Sequence, residues 1–198
     1  MTMRRLRVVL WILVALAVVG AGYLLIRGSG QQSETNTVSS ISFGGPFTLT
    51  GADGQPFSSL ELAGKPYAIF FGFTHCPDVC PTTLARLVRL RQQLSGERPF
   101  EIVFVTVDPE RDGPQEVGKY AALFETPVIG LTGSPAQIER VNKQFGIFSQ
   151  KVPDDSGGYS VDHTATVLLF DRNGDFAGTI APDEQDQAAL DKLKRIAG

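Results

Sequence analysis

The sequence GFTHCPDVCP at Gly72–Pro81 contains both cysteines of the chain, Cys76 and Cys80, and one of its two histidines. An apolar run, YAIFFGF at Tyr67–Phe73, leads into it, and leucines and valine at helix-face spacing follow over Pro81–Leu94. Because the run is apolar at both alternations, it predicts a buried central strand. The stretch is therefore predicted to be a reactive loop between a strand and a helix.

The rest of the chain alternates between strand patterns and helix patterns. Further strands are predicted at Phe47–Thr50, Glu101–Val107, Val128–Leu131, Thr164–Asp171 and Phe176–Ile180, and extended segments at Ile147–Val152 and Tyr159–Val161. Further helices are predicted at Pro114–Phe124, Ser134–Phe145 and Glu184–Ile196. Ser134 opens a capping box, and Asn173-Gly174 is a hairpin signal. This order predicts an α/β sheet with a parallel portion and an antiparallel pair at its end, the element order of a thioredoxin-like domain with extra pieces.

The charge of the chain is uneven. The first 30 residues contain four arginines and no acidic residue, whereas the remainder has 14 basic and 21 acidic side chains, a formal net charge of −7. A domain this acidic is a poor candidate for binding nucleic acid. It would suit a partner with a basic docking face.

The N-terminal region contains an unbroken run of apolar or small residues, Val8–Ile26. At about 1.5 Å per residue this run spans roughly 28 Å, close to the hydrocarbon thickness of a bilayer. Three arginines before the run and one after it predict a cytoplasmic N-terminus and a translocated domain. The alternative is a cleaved signal peptide. The predicted organisation is a cytoplasmic N-terminus (1–7), a transmembrane anchor (8–27), a flexible tether (28–42) and a single domain (43–198).

The spacing C-x-x-x-C leaves several chemistries open. Outside the cytoplasm, two thiols can form a structural disulfide, although closing so short a loop stabilises only modestly. Each cysteine precedes a proline, which disfavours helical geometry and puts Cys80 just before a helix that starts at Pro81. Unpaired backbone amides there would lower the pKa of its thiol and favour the thiolate, which attacks disulfides and binds metals.

A metal site would need a third ligand, and few candidates exist. Both methionines lie before the predicted anchor. His75 adjoins Cys76, and neighbouring residues in an extended chain point apart. His163 precedes Thr164–Asp171, interpreted as the last parallel-type strand, and its loop is expected at the same end of the sheet as the cysteines. A hydrogen-bonded structural histidine is the alternative reading of His163.

Two thiolates and one imidazole without a fourth strong ligand suit copper, and Cu(I) best. Zinc would want a fourth ligand, for which Asp162 and Asp78 are the neighbouring candidates. The charged run Asp108–Asp112 is interpreted as a loop ion-pair network, or as a segment in which Asp108 caps the next helix.

Three motifs in this order resemble those of the Sco family, also called SenC or PrrC in bacteria. They are FGFTHCPDVCP (Phe71–Pro81), VDPERD (Val107–Asp112) and YSVDHT (Tyr159–Thr164). The resemblance runs from about Phe43 to the C-terminus and includes the single N-terminal anchor. It implies a thioredoxin-like fold with an extra hairpin and a copper site.

In that family the copper ligands correspond here to Cys76, Cys80 and His163. Family members deliver copper to, or reduce the cysteines of, the binuclear copper centre in subunit II of cytochrome c oxidase. The resemblance therefore implies a membrane-anchored copper chaperone that carries one Cu(I) or Cu(II) ion, with a copper donor or a thiol reductant as a second partner. Its location would be a bacterial inner membrane, with the soluble domain in the periplasm.

Other functions remain open at this point. The main alternative is a thiol-disulfide oxidoreductase, in which Cys76 and Cys80 are redox-active and form a reversible disulfide. A thiol peroxidase and an interaction module with a structural disulfide are further alternatives.

Overall fold

The computed structural model describes residues 43–94, 99–154 and 157–198, together with Trp11, Leu13, Leu16 and Tyr23. By its internal contacts the chain divides into two units, Met1–Ser40 and Ile41–Gly198. Apart from those four residues, the predicted anchor and tether lie outside the described residues. Within the described ranges, no helix has both the length and the apolar character that crossing a membrane requires.

The described part of the second unit is built from short strands and helices. The strands are β1 (Thr48–Gly51), β2 (Pro56–Ser58), β3 (Tyr67–Gly72), β4 (Glu101–Thr106), β5 (Ile129–Thr132), β6 (Ser149–Pro153), β7 (Tyr159–His163), β8 (Val167–Phe170) and β9 (Phe176–Ile180). The helices are α1 (Val79–Gln92), α2 (Pro114–Ala122), α3 (Pro135–Gln144) and α4 (Asp186–Ala197), with a 3₁₀ turn at Ser59–Leu62.

In these ranges seven strands form one mixed sheet in the order β2-β1-β5-β4-β3-β8-β9, and β6 and β7 form a separate hairpin. The central strands β3, β4 and β5 are parallel and are connected through α1 and α2. Every residue of β3 and β4 is buried, so both faces of the sheet centre are covered. The predicted α/β arrangement with an extra hairpin is confirmed.

Local sequence signals set several element ends as predicted. Ser134 and Gln137 form a capping box at the start of α3, with the Ser134 N–H donating to Gln137 Oε1 at 2.9 Å. The turn between β8 and β9 contains Gly174 at φ +80°, a left-handed conformation that suits glycine. These signals are correct because the interactions that satisfy them are local.

The direction of β8 differs from the prediction of a parallel-type strand. It pairs antiparallel with β3, and Tyr67 lies opposite Phe170 while Ile69 lies opposite Leu168. The reason is that β7 ends beside the cysteine loop, so the chain enters β8 at the carboxyl end of β3 and must run back. This reversal brings His163 to the cysteines, since a parallel β8 would begin at the opposite end of the sheet.

The start of α1 also differs from the prediction. The helix begins at Val79, so Cys80 has helical geometry although Pro81 follows it. The proline is tolerated because N–H groups in the first turn have no acceptor within the helix. Asp108 does not cap α2, since the residue at the cap position is Gly113.

Candidate metal centre

The donor atoms of Cys76, Cys80 and His163 all lie within 4.8 Å of one another. Nε2 of His163 is 3.5 Å from Sγ of Cys80, and the backbone N–H of Cys80 donates to Sγ of Cys76 at 3.4 Å. Both cysteines are free thiols. Within the described ranges, this is the one cluster of three histidine, cysteine or carboxylate donors with such spacing. The three residues singled out by the sequence therefore meet at one place.

Cys80 is fully buried in the first turn of α1. Burial raises the pKa of its thiol, and a hydrogen bond with the backbone of Phe73 opposes this effect without cancelling it. The prediction of a lowered pKa is therefore wrong, because burial disfavours the charged thiolate. Without a bound ion Cys80 is a neutral thiol, so a metal must displace its proton.

Gly72, the last residue of β3, leaves room for the sulfur of Cys80. A Cβ atom at this position would lie 2.8 Å from Cys80 Sγ, 3.0 Å from the ring of Phe70 and 3.1 Å from the ring of Phe104. The sulfur therefore sits directly against the central strands, and its position is set by close packing.

His163 ends β7, and its Nδ1 lies 3.0 Å from the carbonyl oxygen of Thr164. A carbonyl oxygen can only accept, so Nδ1 carries the proton and the lone pair of Nε2 faces Cys80. The rings of Phe70 and Phe73 meet the imidazole edge to face. Burial lowers the pKa of His163 and outweighs the opposing hydrogen bond to Thr164. Burial therefore favours the neutral imidazole, and the hydrogen bond from Nδ1 leaves Nε2 available to bind a metal.

His75, inside the cysteine loop, points elsewhere. Its side chain is 54% exposed, and its Nδ1 lies 3.4 Å from Oδ1 of Asp112 and 3.1 Å from the hydroxyl of Thr74. This agrees with the argument that adjacent residues cannot both face one ion. Asp78 and Asp162 are also absent from the described donor cluster, so neither supplies the fourth ligand that zinc would want.

The centre is open on one side. Cys76 and His163 are partly exposed, whereas Cys80 is buried. An ion held by these three donors could be reached by an incoming ligand from a partner. The arrangement is therefore suited to binding a soft metal and to exchanging it.

The predicted ion-pair network in the Asp108–Asp112 loop is present. Arg111 pairs with Asp108, and Glu110 pairs with Lys151 at 2.6 Å. Asp112 is bound instead by hydroxyl and backbone N–H groups. The sequence interpretation missed these neutral partners, Thr74 and Thr106, and it also missed Tyr159, which donates to Asp108. Each of the three lies within or beside one of the three motifs.

Comparison with known proteins identifies relatives of this chain. The model of the SCO1/SenC family matches residues 35–198. The chain is 32% identical over 174 residues to "Protein SCO2, mitochondrial" of Saccharomyces cerevisiae. That match covers 86% of this chain and only 58% of the length of the yeast protein.

Two solved structures show the same thioredoxin-like fold. Bradyrhizobium japonicum ScoI with copper bound has a TM-score of 0.68 and 38% identity, covering 78% of this chain and 99% of that chain. BsSco, a member of the Sco family of cytochrome c oxidase assembly proteins in which a disulfide switch was identified, has a TM-score of 0.60 and 26% identity, covering 77% and 92%. By its sequence and its fold, this chain belongs to the SCO1/SenC family.

Proposed function

We propose that this chain is a copper chaperone that binds one copper ion through Cys76, Cys80 and His163. The observation that carries the proposal is the convergence of two sulfur atoms and one imidazole nitrogen within 4.8 Å. The copper bound in B. japonicum ScoI supports the choice of metal. The description of the BsSco family as cytochrome c oxidase assembly proteins supports the process, assembly of the binuclear copper centre in subunit II.

The donor set fits copper as cargo. Thiolates are soft ligands, and two of them with one imidazole suit the low coordination number of Cu(I). Both sulfurs bind the ion as thiolates, so the buried Cys80 thiol releases its proton as the ion binds. His163 loses no proton, because its Nε2 already presents a lone pair. The open side admits a thiol or imidazole of a copper donor or of the oxidase subunit, and the ion then passes by ligand exchange.

Measuring copper content tests the proposal. The full chain, purified in detergent and reduced, should bind one Cu(I) per molecule. In competition with a chelator, Cys76→Ser, Cys80→Ser and His163→Ala should each bind at least roughly tenfold more weakly, since each loses one of three donors. His75→Ala is the matched control and should bind like the wild type. Unchanged binding by His163→Ala would remove the three-donor site.

The proposed location is a bacterial inner membrane, with residues 8–27 as a single anchor, 28–42 as a tether and the domain at 43–198 in the periplasm. The apolar run and the arginines that flank it support this arrangement. The full chain expressed in a bacterium should stay in the membrane pellet after alkaline washing, and protease added to spheroplasts should digest the domain. Recovery of the intact chain in the soluble fraction would contradict the anchor.

The second candidate function is a thiol-disulfide oxidoreductase. The observation that favours it is the pair of free, adjacent thiols, and the disulfide switch of BsSco supports it. One cysteine would attack a disulfide of the oxidase subunit, and the second would release it as two thiols, leaving a Cys76–Cys80 disulfide that a separate thiol reductant restores. This reaction needs both cysteines and not His163. Full rescue of oxidase assembly by His163→Ala would favour it, whereas lost rescue favours the chaperone.

A further inference from the structure

The loop from Asp108 to Asp112 joins β4 to α2, and both of its aspartates are 0% exposed. A buried carboxylate is stable only when donors satisfy its oxygens. The loop is closed on itself, because the N–H of Asp112 donates to the carbonyl of Asp108 at 3.0 Å. The N–H of Asp108 donates to the hydroxyl of Thr106, the last residue of β4, at 2.9 Å. These bonds fix both carboxylates relative to the end of β4, so a segment that binds to them is also fixed relative to the sheet.

Asp112 binds the segment that carries the first cysteine. Its Oδ2 accepts from the backbone N–H of Thr74 at 2.8 Å and from the hydroxyl of Thr106 at 2.6 Å. Its Oδ1 accepts from the hydroxyl of Thr74 at 2.6 Å. Two residues later, the N–H of Cys76 donates to the carbonyl of Phe73 at 3.2 Å. The backbone of Cys76 is therefore held one short turn away from a buried anion.

Asp108 and Arg111 bind the hairpin that carries the histidine. The hydroxyl of Tyr159 donates to Oδ1 of Asp108 at 3.0 Å, and Nη1 of Arg111 donates to the carbonyl of Tyr159 at 2.9 Å. The guanidinium of Arg111 pairs with Asp108 and stacks 3.8 Å from the centre of the Tyr159 ring. Cation, ring and carboxylate thus form one packed group.

Tyr159 and His163 are the first and last residues of β7. Strand alternation puts Tyr159, Val161 and His163 on one side, and the burial of Val161 shows that this side faces the core. The contacts that fix Tyr159 therefore also fix how far the imidazole of His163, on the same side of the strand, reaches into the core. The hairpin forms its own two-stranded sheet, so the main sheet does not hold this strand by backbone pairing.

We propose that the Asp108–Asp112 loop positions both halves of the metal centre. Asp112 holds the Cys76 segment, and Asp108 with Arg111 holds the β7 strand that ends in His163. These are positioning residues, since none of them belongs to the donor cluster. The proposal rests on the proposed function in treating that cluster as a copper site.

Hydrogen exchange of the metal-free full chain, in detergent, tests the two holds separately. Asp112→Asn turns one acceptor into a donor that faces the N–H and hydroxyl donors, so exchange should rise at least about threefold in residues 74–80 and stay unchanged in 159–163. Tyr159→Phe loses one hydroxyl and should raise exchange in 159–163 alone. A uniform rise across the domain, or no local rise, would overturn the proposal.

Cu(I) affinity, measured by chelator competition on the same proteins, gives a second readout. Asp112→Asn should lower it about tenfold with one ion still bound, as losing a group that orients ligands does, and Tyr159→Phe should lower it less. Thr74→Val should behave like Asp112→Asn, whereas Thr74→Ser keeps the hydroxyl and should bind like the wild type.

Matched controls lie at the other end of the sheet. Asp171 accepts from the N–H groups of Asn173 and Asp175 in the β8–β9 turn, and Tyr67 begins β3. Asp171→Asn and Tyr67→Phe should leave copper affinity unchanged. The proposal fails if Asp112→Asn changes thermal stability as much as Asp171→Asn does but leaves copper affinity unchanged. The loop would then stabilise the fold without positioning the metal centre. If the wild type takes up no copper, the proposed function fails, and the exchange measurements still decide this proposal.

Discussion

Two acidic runs of similar composition have opposite roles in this fold. DPERD, at Asp108–Asp112, lies at the metal-centre end of the sheet, and PDEQD, at Pro182–Asp186, ends at the first residue of α4. In the first run both aspartates are buried and are bound by backbone N–H groups, hydroxyls and one arginine. In the second run Asp186 is half exposed and pairs with Arg86 and Arg89 on α1.

The difference shows that a charged group fixes the positions of its partners only where it is buried. Water and salt compete for an exposed pair, so Asp186 holds its partners loosely. A buried carboxylate has no such alternative, and each lost donor leaves an unpaired charge. The DPERD loop can therefore position the cysteine loop and the hairpin, whereas the PDEQD run can only add some stability to the α1–α4 contact.

The largest effect should come from the hydroxyl that connects the two buried aspartates. Thr106 is 0% exposed; its Oγ1 donates to Asp112 and accepts from the N–H of Asp108. Thr106→Val keeps the shape and leaves both groups without a partner, so unfolding free energy should fall by about 2–4 kcal/mol. Urea denaturation of the metal-free chain measures it. Thr48→Val, at an exposed site on β1, is the control. An equal loss of stability in both variants would contradict the special role of the buried Thr106 hydroxyl.

The next effect concerns space at the same end of the sheet. Gly72→Ala would put a Cβ 2.8 Å from Cys80 Sγ, with rings on two further sides, so overpacking should cost about 1–3 kcal/mol and also weaken Cu(I) binding. Gly133→Ala is the control, because no atom lies within 3.0 Å of its added Cβ; the nearest are Leu49 Cδ2 at 3.2 Å and Gln137 Cβ and Oε1 at 3.3 Å. Equal stability and affinity in the two variants would show that the sulfur has room to shift.

Much of the fold was predictable because the signals are local. The apolar run of β3, the capping box at Ser134 and the hairpin turn at Gly174 act within a few residues. His163 was found by ligand scarcity and by the expectation that two loops share one end of the sheet. That expectation is confirmed, although the strand direction assumed for β8 was wrong.

The remaining errors concern burial and long-range pairing. The pKa of Cys80 was predicted from its helix position alone, and desolvation reverses the direction. The hydrogen bonds between Thr74 and Asp112 join residues 38 positions apart, and nothing in the sequence around either residue predicts its partner. Local sequence rules cannot say which of two acidic runs becomes buried, because that depends on which strands and loops pack over it.

A smaller effect on stability is expected at a buried polar group near the metal centre that, unlike the aspartates of the DPERD loop, has no described hydrogen-bond partner. The hydroxyl of Tyr120 is buried and has no hydrogen-bond partner among the described residues. Burial raises the pKa of Tyr120, so the phenol stays neutral. Tyr120→Phe removes an unpaired donor, so the metal-free chain should become more stable by about 1 kcal/mol. A loss of stability in urea denaturation would mean that the hydroxyl does have a partner.

The smallest effect belongs to Glu184 in the PDEQD run and depends on pH. A hydrogen bond from Lys192 holds the pKa of Glu184 below its usual range, outweighing partial burial. A carboxyl with a lowered folded pKa stabilises the protein above its unfolded value, about 4.3, and this contribution disappears as pH falls through the folded value. Glu184→Gln should therefore lower the thermal midpoint slightly at pH 7 and leave it unchanged well below pH 4.

Glu139→Gln supplies the control for this pH dependence, because Glu139 pairs with Lys143 on the exposed face of α3. Its effect should be smaller still, since water and salt screen this pair more fully than the half-buried Glu184–Lys192 pair. A difference between Glu184→Gln and wild type that persists unchanged at pH 3 would show that this glutamate acts through packing rather than through its charge.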